Sequence, residues 1–315
     1  MAKKEKTVAL KQSWFTTIAK DFKRNKWIYL LAIPAVIWYI LFMYKPMYGV
    51  IIAFKDFKIR DGILGSEWVG LEHFKDFFDS MYFERTLKNT LILNFYGIIF
   101  GFPIPIILAL MMNELRSQKY KKLIQTTSYL PHFISLVVVC GMVVDFTSNR
   151  GFITHFVNQI TGNNYYKLLE QKEFYRMIYI VSDIWQTAGW GSIIYLAALS
   201  GVDMSLYEAA KIDGAGKWKQ LIHVTIPGIM PTIVIMFILK IGAIMSIGAD
   251  KTILLYNEHT YETADIISSY VFRKGIGGSD YSLSAAVGLF NSVINCVLVL
   301  SANALSKKFT DSGLF

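Results

Sequence analysis

Long apolar runs recur along the chain and alternate with shorter polar segments. About 20 mostly apolar residues in a helix cross a hydrocarbon core of about 30 Å, so each long run is a candidate membrane span. Six runs qualify, at approximately 27–44, 85–112, 128–146, 176–199, 226–247 and 283–305. The pattern therefore predicts an all-α membrane protein with six transmembrane helices.

Composition and charge agree with a membrane protein and give its orientation. Of 315 residues, 54% are apolar and only 17% are charged, too few charges to cover the surface of a water-soluble protein. Lys and Arg concentrate before the first run, at 113–127 and after the last run, which predicts that both termini are cytoplasmic. The net charge of +9 is not gathered on a separate basic domain, so nucleic-acid binding is not indicated.

The chain begins with a basic segment, residues 1–26, in which apolar residues from Trp14 to Phe22 recur at helical spacing. This is typical of a helix lying in the cytoplasmic membrane interface, and a disordered basic tail is the alternative. Residues 27–84 are predicted to hold the first transmembrane helix and an extracellular cap. In the cap we expect a short extended run at 49–54 and an amphipathic helix near 71–78.

The remaining chain is predicted to form a core domain, residues 85–306, and a short cytoplasmic tail, residues 307–315. Within the core, the polar stretch 151–173 is predicted to be an external surface loop. A second connecting loop, residues 203–231, lies between the fourth and fifth spans on the cytoplasmic side.

This second loop carries signals for a short helix. Ser205 and Glu208 have the spacing of a capping box, which predicts a helix start. Gly214 is placed to end the helix, because glycine adopts the left-handed C-terminal conformation without a Cβ penalty. Two turns are too few for stability alone in water, so the helix is expected to pack against a partner. Pro227 then opens the fifth span.

The surface of the short helix suits protein docking. The small side chains of Ala209 and Ala210 allow another protein to approach the helix closely. Glu208, Lys211 and Asp213 place charges around them. An ordinary amphipathic connection between two spans is the structural alternative.

The run Glu208-Ala209-Ala210-x-x-Asp213-Gly214-Ala215, followed about twelve residues later by Ile226-Pro227, resembles the EAA motif of ABC importer permeases. In that family the segment is the coupling helix, which binds a groove of the cytoplasmic ATPase. Thr225 precedes Ile226-Pro227 where the commoner form has a leucine before the proline. The resemblance assigns ATPase coupling to Ser205, Glu208, Ala209, Ala210, Lys211, Asp213, Gly214, Ala215 and Pro227.

The stretches 45–57, 68–74 and 302–308 are similar to the LplB-type sugar permeases of the carbohydrate uptake class. This resemblance covers nearly the whole chain and implies the type I ABC importer (MetI-like) permease fold. It also implies uptake of an oligosaccharide, commonly one that contains uronic acids. The expected partners are a second homologous permease, two cytoplasmic ATPase subunits and an extracellular lipid-anchored solute-binding protein.

No motif for an intrinsic active site is visible. The chain has no phosphate-binding loop, so ATP and Mg²⁺ are expected on the partner ATPase and no cofactor on this chain. Its five histidines are scattered, and neither a metal site nor a catalytic group is predicted. A permease for a non-sugar solute is the first alternative, and an ion-coupled secondary transporter the second. A membrane enzyme or receptor would need a catalytic cluster or sensor domain that the sequence lacks.

Charges inside the predicted spans are candidates for the substrate path. At about 1.5 Å per residue, Asp183 and Lys240 both lie roughly 10 Å from the outer face, and a charge there needs a polar environment. We expect these two side chains to face a translocation path or each other. The full set of candidates is Asn94, Asp183, Gln186, Trp190, Lys240 and Asn291, with Trp190 included as a candidate sugar-stacking ring.

Overall fold

The computed structural model of the chain describes residues 21–246 and 248–310, and these are predominantly helical. The chain forms two compact units, which divide between Ile51 and Ile52. Two short strands, β1 (Lys55–Asp56) and β2 (Glu67–Trp68), pair antiparallel. The longer helices are α1 (Lys26–Phe54), α2 (Glu72–Asp79), α3 (Phe83–Asn113), α4 (Gln118–Tyr129), α5 (Leu136–Phe146), α6 (Phe152–Thr161), α7 (Lys172–Ser200), α8 (Met204–Ile212), α9 (Lys217–Gly242), α10 (Ala249–Leu255), α11 (Ile267–Phe272) and α12 (Tyr281–Thr310).

Four of these helices are long and apolar enough to cross a membrane by themselves, namely α1, α3, α9 and α12. Two further spans are possible if each of two sharply bent helix pairs crosses as one unit. These pairs are α4 with α5, bent by 95°, and α7 with α8, bent by 69°. The described residues therefore support a helical membrane protein of four to six spans, while the count of six and the cytoplasmic position of both ends stay predictions.

The first unit consists mainly of α1, whose side chains are exposed along nearly its whole length. Most of the predicted interfacial segment falls on residues 1–20, which lie outside the described residues. The extended run predicted at 49–54 is wrong, because Tyr48–Phe54 is a 3₁₀-helix. It continues without a break from the helical turn Lys45–Met47, so helical hydrogen bonding persists through this apolar stretch.

The third predicted span is broken into two helices. A 3₁₀ turn, Leu130–Phe133, ends the α4 direction, and α5 starts afresh after Ser135. Pro131 lacks an amide to continue the α-helix, and the Ser135 hydroxyl accepts a hydrogen bond from the Val138 amide at 3.4 Å. These two residues explain why one apolar run folds as a bent pair.

The amphipathic helix predicted near 71–78 is confirmed as α2. Its Phe77 is fully buried, and the ring lies 5.7 Å from Tyr270 of α11 and 6.0 Å from Phe290 of α12. The small sheet beside it pairs Lys55 with Trp68. The cap is thus attached to the core by aromatic packing.

The core is formed where α3, α7 and α9 meet. Ala109 of α3, Tyr195 and Leu199 of α7 and Ile229 of α9 form one buried cluster. Side-chain packing within the protein supplies this contact, because lipid gives little hydrophobic drive between helices. A second cluster lies around Tyr175 near the start of α7.

The prediction of a surface loop at 151–173 is wrong for its first part, which forms the ten-residue helix α6. Gly162 ends α6 in the left-handed conformation at φ 69°, which glycine adopts without a Cβ penalty. The apolar residues within 152–160 recur at helical spacing, and this pattern indicates a helix.

Gly189 allows α7 and α4 to approach closely. A Cβ built on Gly189 would collide with the Ser128 carbonyl oxygen, so any side chain requires the helices to separate. We expect Gly189→Ala to destabilise the protein by about 1–3 kcal/mol, the usual effect of overpacking. Gly141→Ala in α5 is the matched control, because a Cβ there meets no atom within 4 Å. Thermal unfolding of the two purified variants tests this, and equal melting temperatures would contradict it.

Candidate docking helix and intramembrane cavity

The predicted short helix is present as α8, but its start differs from the predicted one. Asp203 is the N-cap, and its carboxylate accepts a hydrogen bond of 2.9 Å from the Ser205 amide. The predicted capping box of Ser205 with Glu208 is therefore wrong, because the helix begins at Met204 and Ser205 already lies in the first turn. The hydrogen bonds from Ser205 hold the pKa of Asp203 below its usual range.

The predicted end of the helix is confirmed. Gly214 lies just beyond the helix with φ 73°, in the left-handed region. The Ala215 amide donates to the Ala210 carbonyl at 2.8 Å, and the Gly214 amide donates to the Lys211 carbonyl at 3.0 Å. This pair of bonds is a Schellman motif, which satisfies carbonyls that a helix end otherwise leaves unpaired.

α8 carries an exposed surface that includes large apolar side chains. Glu208, Ala209, Lys211 and Asp213 are exposed, and Ala210 and Ala215 are half-buried. Ile212 is 87% exposed, and Trp218 at the start of α9 is 77% exposed. Apolar side chains so exposed beside charged ones are typical of a protein-binding surface.

Three contacts hold this exposed segment on the core. The Tyr207 hydroxyl donates to the Thr225 hydroxyl at 3.0 Å, and the side-chain amide of Gln220 donates to the Ala215 carbonyl at 2.7 Å. Lys217 forms a 2.7 Å ion pair with Glu114 at the end of α3. Pro227 stands in the first turn of the α-helical part of α9, directly after the π-helix Leu221–Thr225. The short helix α8 is thus tied directly to α9, and α9 is tied in turn to the end of α3.

Three of the six candidate path residues line one cavity. Asn94 of α3, Asp183 of α7 and Lys240 of α9 face a space of about 200 Å³, together with Ser246 and Gly248. The structure thus brings together polar side chains that lie far apart in the sequence. The cavity is large enough for several water molecules.

The direct pair of Asp183 with Lys240 does not form. Asp183 instead forms an ion pair of 3.2 Å with Lys251 of α10, whose ammonium also donates to the Tyr179 carbonyl at 3.0 Å. Lys251 is 5% exposed and lies 4.6 Å from the centre of the Tyr179 ring. Within the described part of the chain, Lys240 has no carboxylate within 4.0 Å. The cavity thus contains one compensated acid and one uncompensated cation.

Sequence reasoning did not single out Lys251. A weak signal was available, because Lys251 lies just before the apolar residues 253–255, and the structure places all of them in one helix. What the sequence does not contain is the folding back of α10 against α7.

The other three candidates lie outside the lining of this cavity. Gln186 donates to the Ile134 carbonyl at 3.1 Å, at the break between α4 and α5. Asn291 donates to the Met245 carbonyl at 2.9 Å, just after α9 ends. Trp190 stacks on His132 at 4.7 Å between ring centres. Gln186 and Asn291 satisfy backbone groups that broken helices expose inside a membrane.

Comparison with known proteins agrees with a helical membrane protein. Residues 101–311 match the family described as "Binding-protein-dependent transport system inner membrane component". Protein LplB of Bacillus subtilis (strain 168) is 43% identical over 96% of this chain and 94% of its own length. The polygalacturonan/rhamnogalacturonan transport system permease protein YteP of the same organism is 43% identical over 93% of this chain and 91% of its own.

A solved structure is also similar. It is a crystal structure of a bacterial alginate ABC transporter in complex with an alginate pentasaccharide-bound periplasmic protein. One of its chains superposes with a TM-score of 0.85 and 43% sequence identity, covering 94% of this chain and 99% of that chain. The resemblance to LplB-type permeases inferred from the sequence is confirmed.

Proposed function

This chain belongs to the family of binding-protein-dependent transport system inner membrane components, and on that basis we propose that it is one permease subunit of an ATP-driven importer of acidic oligosaccharides. It is a transport subunit and not an enzyme, like its permease relatives. The observation that carries the proposal is α8, a short exposed helix with a fixed start and a fixed end. A helix so small and so exposed is expected to be completed by a partner.

The partner proposed for α8 is a cytoplasmic ATPase subunit, which binds ATP and Mg²⁺. Two such subunits would bind α8 of this chain and the equivalent helix of a second homologous permease. When ATP closes the ATPase pair, the docking helices approach each other, and the Lys217–Glu114 and Tyr207–Thr225 contacts transmit the movement to α3 and α9. The two permeases would then expose their shared path to the outside.

An extracellular lipid-anchored solute-binding protein is the proposed source of the sugar. The related alginate transporter was crystallised with a periplasmic protein holding an alginate pentasaccharide, and YteP is named for the transport of polygalacturonan and rhamnogalacturonan. A second similar structure is that of a bacterial ABC transporter involved in the import of alginate, an acidic polysaccharide. These relatives support a substrate that carries carboxylates.

The cavity composition supports the same substrate class. Asp183 is already compensated by Lys251, so Lys240 is free to attract a sugar carboxylate, with Asn94 beside it as a hydrogen-bonding group. A cation without a counter-ion is unfavourable inside a membrane, and a passing carboxylate would offset that cost.

We expect Lys240→Gln to reduce uptake of tetragalacturonate about tenfold, which corresponds to the free energy of one lost hydrogen bond between charged groups. Uptake of its methyl ester, which has the same sugars without the charge, should change much less. The measurement is uptake into proteoliposomes that contain this chain, its second permease and its ATPase, with binding protein outside and ATP inside. Lys240→Arg keeps the charge and is the control. Equal losses for the acid and the ester would contradict a role for Lys240 in charge recognition.

The same proteoliposomes test the whole proposal. Uptake should require ATP hydrolysis and persist when an uncoupler dissipates the ion gradients. Uptake that stops with the uncoupler would favour an ion-coupled transporter. ATP-dependent transport without uptake of any oligosaccharide would favour a permease for a non-sugar solute.

A further inference from the structure

A cleft with three basic side chains lies at the end of the protein opposite α8. It has a volume of about 490 Å³ and is lined by Arg85 and Lys88 of α3 and Arg176 of α7, with Glu84 and Glu262 at its edges. α7 begins here and runs to Ser200 beside α8, while α3 begins here and ends beside Glu114, the partner of Lys217. If α8 is cytoplasmic, the cleft is external.

The guanidinium of Arg176 is fixed in this cleft by neutral groups. It donates to the Asn89 side-chain oxygen at 2.8 Å and to the Thr263 carbonyl at 3.4 Å. Neither acceptor carries a charge, so the positive charge of Arg176 is oriented but not cancelled. An arginine has five N–H donors, and three remain for a ligand.

Arg85 is positioned by a buried acid. Its guanidinium forms a 2.7 Å ion pair with Asp265, which is fully buried and also bound by Arg273 at 2.8 Å. Two guanidinium groups on one carboxylate leave an excess positive charge. The Nε of Arg85 is buried without a hydrogen-bond partner, so part of its donor capacity is unused.

The acids at the edge of the cleft only partly offset this charge. Glu262 forms an ion pair of 2.8 Å with Lys172, and that ammonium holds the pKa of Glu262 below its usual range. Glu84 and Lys88 are both exposed, and neither has a hydrogen bond or ion pair within the described residues. A cleft with an excess of positive charge and two oriented guanidinium groups favours a small anion whose oxygens accept several N–H donors at once.

We propose that this cleft is an outer subsite for sugar carboxylates, where Arg176 and Lys88 bind a uronate of the incoming oligosaccharide before it reaches the cavity at Lys240. The inference rests on the proposed import of acidic sugars and adds a second, external site to it. Arg85 and its buried Asp265 hold the cleft in shape. The carboxylate of Glu84 repels anions and thereby limits the affinity of the cleft for them.

Direct binding to the assembled transporter in nanodiscs, without binding protein, tests the subsite. The probes are digalacturonate and its dimethyl ester, titrated at low and high ionic strength. We expect the unmodified transporter to prefer the acid, and Lys88→Gln to weaken acid binding about tenfold with little effect on the ester. The preference should shrink at high salt, because an accessible cleft is screened.

Four further variants define the site. Glu84→Gln removes an acid from the same cleft and should strengthen acid binding severalfold, the opposite sign to Lys88→Gln. Arg176→Lys keeps the charge but loses the planar fork, so it should bind the acid less tightly than the unmodified protein and more tightly than Arg176→Gln. Arg60→Gln removes an arginine of the cap that is paired with Asp61 and does not line the cleft, and should have no effect.

Several results would overturn the proposal. Equal affinity of the unmodified transporter for acid and ester, or no effect of Lys88→Gln and Arg176→Gln on acid binding, would exclude a carboxylate subsite. If these variants instead raise the binding-protein concentration needed to stimulate ATP hydrolysis while acid binding is unchanged, the cleft is a docking site for that protein. In either case, continued ATP-dependent uptake of acidic oligosaccharides would leave the proposed function standing.

Discussion

Asp183→Ala is expected to destabilise the protein by about 3 kcal/mol, and Lys251→Met by much less. Removing Asp183 leaves the ammonium of Lys251 buried among α7, α10 and the Tyr179 ring without a counter-charge. Breaking a buried ion pair from one side costs about 3–5 kcal/mol, because the remaining charge has no water to solvate it. Asp183 itself is 45% exposed toward the cavity, so removal of Lys251 leaves a carboxylate that water can reach.

The double variant distinguishes an ion pair from two independent residues. Replacing both charges together should recover most of the stability lost in Asp183→Ala, because a neutral buried side chain needs no partner. The measurement is the melting temperature of the purified protein in detergent, with Lys240→Ala as a control for a cavity lysine that has no ion-pair partner within the described residues. A loss in Lys251→Met equal to that in Asp183→Ala, or no recovery in the double variant, would show that the pair does not determine stability.

Gly214→Val is expected to abolish most coupled uptake while the protein remains folded in the membrane. A β-branched residue at φ 73° costs about 1–3 kcal/mol, and the nine-residue helix α8 has few contacts with which to resist reshaping. Nothing lies within 4 Å of a Cβ at Gly214, so the effect comes from the backbone and not from a collision. ATP hydrolysis stimulated by binding protein, measured beside uptake, should fall with it.

Two substitutions distinguish the effect of the backbone conformation at residue 214 from the effect of replacing any glycine in this loop. Gly214→Asn should retain much of the uptake, because asparagine tolerates the left-handed conformation. Gly216→Val adds the same side chain two residues later at φ −69°, where valine meets no strain and no neighbouring atom, so coupling should persist. Normal uptake by Gly214→Val would contradict the role of the helix stop. Failure of Gly216→Val would indicate that any bulk in this loop disturbs docking.

Much of the membrane architecture and of the docking loop followed from the sequence. Apolar runs of span length located α3, α7, α9 and α12, because hydrocarbon thickness sets a length that sequence reports directly. Gly214 could be assigned as a helix stop because the left-handed position is a local property of the backbone. The start was assigned wrongly, since Asp203 and Ser205 are both good caps and sequence alone does not rank two caps so close together.

Tertiary structure alone decided which charges meet. Depth counted along separate helices put Asp183 level with Lys240, and both do line one cavity. Yet α10 folds back against α7 and supplies Lys251 as the partner of Asp183. Distance along a helix predicts depth, because the rise per residue is constant, but it contains nothing about which neighbouring segment turns back into the bundle.

The same limit explains the polar residues near the helix breaks. Gln186 and Asn291 were candidates for the path because they are polar and lie inside spans, and they instead bond to the Ile134 and Met245 carbonyls. A break frees backbone groups that water cannot reach in a membrane, so nearby amides are recruited to satisfy them. The sequence determined that this chain spans a membrane and has a short helix, ended by Gly214, in the loop at 203–231. Only the packing of the helices decided which polar side chains face the cavity and which complete the backbone.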